Sequence, residues 1–219
     1  MRTLACAALI LATPAAAVEF VVSTGKLTDD QFYNTVACGA PLDGACIDPL
    51  TRWSASNAAD LRVSMEPIPG TFPKPLAARM LASLDRAIAE INGAGAALHM
   101  RRVPPGQGLI RVYLTLAGDG QPITGTGDPG VDGQIIGAGL TTVWWNNRLE
   151  ITEAVIAMAN GLPMPEVYPV MLEELTQSTG LLTDIRNPAY ESVSVFSEDS
   201  NTVLRLGPQD IMVLRRHYP

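Results

Sequence analysis

Residues able to do chemistry concentrate between positions 173 and 184, read as Glu173-Glu174-Leu175-Thr176-Gln177-Ser178-Thr179-Gly180-Leu181-Leu182-Thr183-Asp184. Val170, Met171, Leu175 and Thr179 recur at helical spacing, which predicts a helix over 170–179 ended by Gly180. On such a helix Glu173 and Gln177 stand one turn apart on the same face. Adjacent Glu173 and Glu174 diverge by about 100°, so they are not a facing pair of the glycosidase kind. A carboxylate and an amide are hard oxygen donors, suited to calcium, magnesium or manganese better than to zinc. The same residues also have ordinary roles: Glu173 and Gln177 paired with each other or solvated, Glu174 bonded to nearby backbone, Asp184 capping the loop after Gly180. Histidine is nearly absent, since only His99 and His217 occur, and neither stands in a triad-like context. No G-x-S-x-G is present.

The stretch also resembles the metzincin pattern H-E-x-x-H-x-x-G-x-x-H, with Glu174 and Gly180 in place and Glu173, Gln177 and Thr183 at the histidine positions. Ser194-Val195-Phe196 occupies the place of the Ser-x-Met of the Met-turn. Leu206-Gly207-Pro208-Gln209-Asp210-Ile211, with Leu214 and Tyr218, resembles the helix that closes matrixin-type domains. More closely, Cys38-Gly39, Cys46, Arg52-Trp53, Glu174-Leu175-Thr176-Gln177, Gly180-Leu181, Asp184, Ser194-Val195-Phe196 and Asp210 to Tyr218 resemble the DUF2927 family of exported bacterial proteins, over most of residues 30–219. That family brings no assigned activity. The resemblance implies a zincin-like fold whose metal-binding histidines are gone, with Gly180 structural and Phe196 in the core. It leaves Glu174 in the place of a general base, and Glu173, Gln177 and Asp184 as oxygen donors for a divalent ion.

The elements that must position these residues read as α+β. Leu61–Met65 alternates like a strand. From Pro75, the positions Leu76, Met80, Leu84, Ala87, Ile88 and Ile91 form one apolar stripe, predicting a long packing helix that stops at Gly93. Strands are expected over 97–103 and 109–116, then over 141–145 and 149–158 as a hairpin turning at Asn146-Asn147. A short C-terminal helix is expected over 206–218. Residues 118–133 read as a loop. Its Gly125-Thr126-Gly127-Asp128-Pro129-Gly130 is a literal G-x-G-x-x-G with no helix after it, so it is not a dinucleotide site. Asp119, Asp128 and Asp132 lack the D-x-D spacing of calcium loops.

Residues 1–17, MRTLACAALILATPAAA, have the order of a secretory signal peptide: Arg2, an apolar run, then small residues before a cut after Ala17. The run is about half the length that a bilayer span needs. The expected product is one exported domain over 18–219, periplasmic or secreted, with no transmembrane segment. Cys6 leaves with the leader, and Cys38 and Cys46 then form the simplest exported arrangement, a disulfide over a short turn. With 219 residues and a net charge of -7, and with no basic cluster beyond Arg101-Arg102 and Arg215-Arg216, nucleic acid is a poor partner. Two functions remain. One is a non-catalytic binding or interaction module, with no cofactor, holding a peptide or cell-envelope component in the cleft beside the 165–180 helix. The alternative is a metal-dependent, peptidase-like hydrolase with Glu174 as general base.

Overall fold

A computed structural model describes residues 19–219, so the leader over 1–17 lies outside the described residues. In chain order the elements are β1 (Phe20–Val22), α1 (Asp29–Cys38), β2 (Arg52–Trp53), α2 (Ala55–Ala59), β3 (Leu61–Met65), α3 (Lys74–Gly93), β4 (Met100–Val103) and β5 (Ile110–Leu114). They continue with β6 (Gln121–Pro122), β7 (Ile135–Ile136), β8 (Gly139–Trp145), β9 (Glu150–Met158), α4 (Val167–Gln177), β10 (Asp184–Arg186) and α5 (Pro208–His217).

An unbroken apolar run decides which strand is central. Ala154 to Met158 are buried on both faces of β9, which requires neighbours on each side. β5 lies parallel to β9, with Ile110 opposite Ala154 and Leu114 opposite Met158. β8 lies antiparallel on the other side. Ile151 is flanked by Trp145 of β8 and Trp53 of β2, so β2 extends the β5 side of the sheet. β3 then sits between β5 and β4, parallel to both. The sheet is mostly parallel, with β8 its one antiparallel member, and together with the helices it agrees with the expected α+β class.

The chain passes from β4 to β5 across β3 in the few residues 104–109. Gly108 lies so close to Ser64 that a Cβ there would overlap the Ser64 side chain and amide. The carboxylate of buried Glu66 accepts from Ser64 Oγ and from the Gly106 amide, which pins the crossing.

α3 buries its stripe, Leu76, Met80, Leu84, Ala87, Ile88 and Ile91, in the main core beneath the sheet. It packs along α4, whose apolar face enters the same core. The opposite sheet face has a second, smaller core, in which Ile123, Val131 and Ile136 cover Val155 and Ala157 of β9. The loop expected over 118–133 therefore contains one strand, β6, paired with β7.

Other boundaries shift for physical reasons. The expected helix 170–179 runs from Val167 to Gln177, because Pro169 falls in the first turn, where an amide has no helical partner to lose. Strand 97–103 shortens to Met100–Val103 because the amides of Ala97 and His99 bond instead to Tyr218 O and Ala58 O. The hairpin turn at Asn146-Asn147 is formed, with Leu149 at a φ of +60°. The Cys38–Cys46 disulfide joins the end of α1 to the following loop. No helix among the described residues is long and apolar enough to cross a membrane.

Candidate functional site

α4 comes against β8 at a point that only glycine permits. A Cβ at Gly139 would overlap the carboxyl group of Glu174. The approach lets Thr141 Oγ1 donate to Glu174 Oε2 at 2.6 Å. Among the described residues strand β8 pairs with β9 alone, so its outer edge is open, and between that edge and α4 lies a cleft of about 740 Å³. Five carboxylates line it, from Glu19, Glu173, Glu174, Asp184 and Glu198, and among the described residues no Lys, Arg or His does.

The candidate residues are thus brought together, but they are not equivalent. Gln177 Nε2 donates to both oxygens of Asp184, at 3.0 and 3.1 Å. Glu198 is paired with Arg186 at 3.0 Å. Half-buried Glu173 has no hydrogen bond or ion pair among the described residues. Burial, followed by the charges of Asp184 and Glu174, pushes the Glu173 carboxyl well above its ordinary range. Burial and the Glu174 charge do the same to Asp184. Glu174 is pushed up to about 7, chiefly by burial, against the opposing effect of the Thr141 hydrogen bond.

Thr183, at the third histidine position, and Asp184, the candidate third donor, lie on different surfaces. Asp184 faces the cleft, whereas Thr183 lines a different hollow with Ala37 and Cys38. Zinc does not fit this set: its donors are oxygens, and the Gln177 amide and Asp184 are bonded to each other. Among the described residues no group of three or more His, Cys, Asp and Glu side chains is disposed to hold a metal ion.

Gly180 has a φ of +99°, and a Cβ there would overlap the Thr51 carbonyl. It stands three residues beyond the end of α4, with its amide bonded to Gln177 O. Phe196 is fully buried against Phe32. Ser194 and Val195 are tied to α5 through Asp210, whose carboxylate accepts from Ser194 Oγ at 2.6 Å, the Val195 amide at 3.0 Å and the Gly207 amide at 2.8 Å. Burial pushes Asp210 up to about 6.

Neither a protein-family profile nor a characterised protein matches the chain in sequence.

Several residues of the site neighbourhood carry no local sequence signal. Glu19 and Glu198 are distant in the chain and meet at the cleft because β1 pairs with β10 and Ser197 bridges to Ile185 of β10. Thr141 and Gly139 look like ordinary strand residues. His217, next to the C-terminus, is buried. Its Nε2 lies 2.9 Å from Thr51 O and its Nδ1 3.1 Å from the Tyr33 hydroxyl, and burial pushes its pKa down to about 4. His99 is exposed and lies just before β4.

Proposed function

We propose that the chain is an exported, non-catalytic binding module of the zincin-like, DUF2927 kind, and that its cleft holds a peptide or cell-envelope component bearing a lysine or arginine side chain. The observation that carries this reading is the cleft itself: an open strand edge and five carboxylates, with no cationic side chain lining it among the described residues. Crowding out of water holds protons on these carboxyls, and a bound cation favours their ionised form and pairs with it. Export is supported by the leader sequence and by the Cys38–Cys46 disulfide.

One observation favours the alternative hydrolase. A carboxyl held near 7, like that of Glu174, exchanges protons at neutral pH, as a general base must. In that reading Glu173, Gln177 and Asp184 hold calcium, magnesium or manganese. Two features weigh against it. Glu174 is bonded to Thr141, and the charge-bearing oxygens of Asp184 are bonded to Gln177. Elemental analysis of the mature protein after incubation with each ion, together with a peptide-hydrolysis assay, separates the two readings. The binding module predicts substoichiometric metal and no turnover. Stoichiometric metal, with hydrolysis abolished by Glu174→Gln, establishes the enzyme instead.

A further inference from the structure

The second face of the central sheet is only partly covered. Its small core occupies one end, under Ile123, Val131 and Ile136, and residues 127–130 of the covering loop form the rim beyond it. Within that rim lies a separate hollow of about 700 Å³, floored by Arg111 and Tyr113 of β5, Glu153 of β9 and Trp144 of β8. The strand register builds this floor. Trp144 stands opposite Glu153, and Arg111 opposite Val155.

The chemistry of the floor is restrictive. Arg111 is bonded to Asp128 and to Glu153, each at 2.7 Å, and the Tyr113 hydroxyl donates to Asp128 at 3.1 Å. Asp128 is buried, so this polar layer is fixed. A guanidinium already answered by two carboxylates offers little to an anion. A cation finds both carboxylates already bonded to that guanidinium. Hydrogen-bonding capacity nevertheless remains, because Arg111 Nη1 and Glu153 Oε2 have no hydrogen bond among the described residues. The indole is fixed as well: a Cβ at Gly130 would overlap the six-membered ring of Trp144, so the loop backbone is packed against it. A half-buried, immobile indole beside planar polar groups suits a ligand that is uncharged, apolar on one flat side and rich in hydroxyls.

We propose that this hollow binds a neutral saccharide, with one sugar ring stacked on Trp144 and its hydroxyls bonded to Arg111 and Glu153. The site is independent of the acidic cleft and does not rest on the reading given for it. Chitotriose and maltotriose, added separately to the mature protein and followed by calorimetry and ligand-observed NMR, test the proposal. At least one is expected to bind at a single site. Trp144→Ala should weaken binding about tenfold or more, and Glu153→Gln should weaken it with the fold intact by circular dichroism. Arg79→Ala, exposed on α3, should leave it unchanged. Binding that survives both Trp144→Ala and Glu153→Gln overturns the site. So does failure of both trisaccharides to bind, or binding of choline or inorganic phosphate in their place.

Discussion

Buried titratable groups set opposing pH dependences on the stability of this domain. Glu174, near 7, and Asp210, near 6, bind protons more tightly when folded than when unfolded. Their contribution is present at acid pH and is lost as pH rises from about 4 through those values. His217, near 4 when folded, does the reverse, because the folded state holds it neutral. Its contribution is present above about 6.5 and is lost as pH falls toward 4. The two effects oppose each other over much of this range, so removing one unmasks the other. Thermal midpoints measured from acid to neutral pH should show a steeper acid loss in Glu174→Gln and a steeper alkaline loss in His217→Gln. Unchanged slopes in both variants would contradict the burial of these groups. Gly180 makes a second, independent prediction. Its φ of +99° and its close approach to the Thr51 carbonyl both penalise a Cβ, so Gly180→Ala should destabilise by about 2 kcal/mol, seen as a lowered melting temperature.

Periodicity made α3 and β3 legible, because the apolar residues of each recur along one face and its neighbours need not be known. The Asn146-Asn147 turn was legible for the same local reason. The crossing of β3 by residues 104–109 was not, since no local pattern says that β4 and β5 flank the same strand. Within the motif, Glu173 and Gln177 were read from helical spacing and Glu174 and Asp184 from the family resemblance; all four line the cleft, whereas Thr183, at the motif's third histidine position, does not. Helical spacing carries across α4 and is lost in the turn over 178–183. The choice between positions 183 and 184 is testable. Glu173→His with Gln177→His and Asp184→His should create an open three-imidazole site and raise zinc affinity by about two decades, or 3 kcal/mol. The same pair with Thr183→His should gain no more than the double variant, because position 183 faces away. Equal gains in calorimetric zinc titrations would show the register to be wrong. At the end of α1, replacing Cys38 and Cys46 together by serine should cost about 2.5 kcal/mol of stability in denaturant unfolding.

Across the whole molecule, negative charge is unevenly placed. The net charge is -7, yet the exposed carboxylates Asp60, Asp85 and Glu150 are each paired with arginine. Around the cleft, only Glu198 has such a partner among the described residues. Composition showed the acidity and made nucleic acid a poor partner, but it could not show this concentration, because Glu19 and Glu198 reach the cleft through long-range pairing. His217 and the Arg111–Asp128–Glu153 layer escaped notice for the same reason. The most direct measurement is a calorimetric titration of the mature protein at neutral pH with a short lysine-containing peptide and with its glutamate counterpart, each at low and high salt. The cleft reading predicts saturable one-site binding of the lysine peptide, weakened by salt and by Glu173→Gln, and no binding of the glutamate peptide. Equal binding of both peptides, or binding of neither, would contradict it.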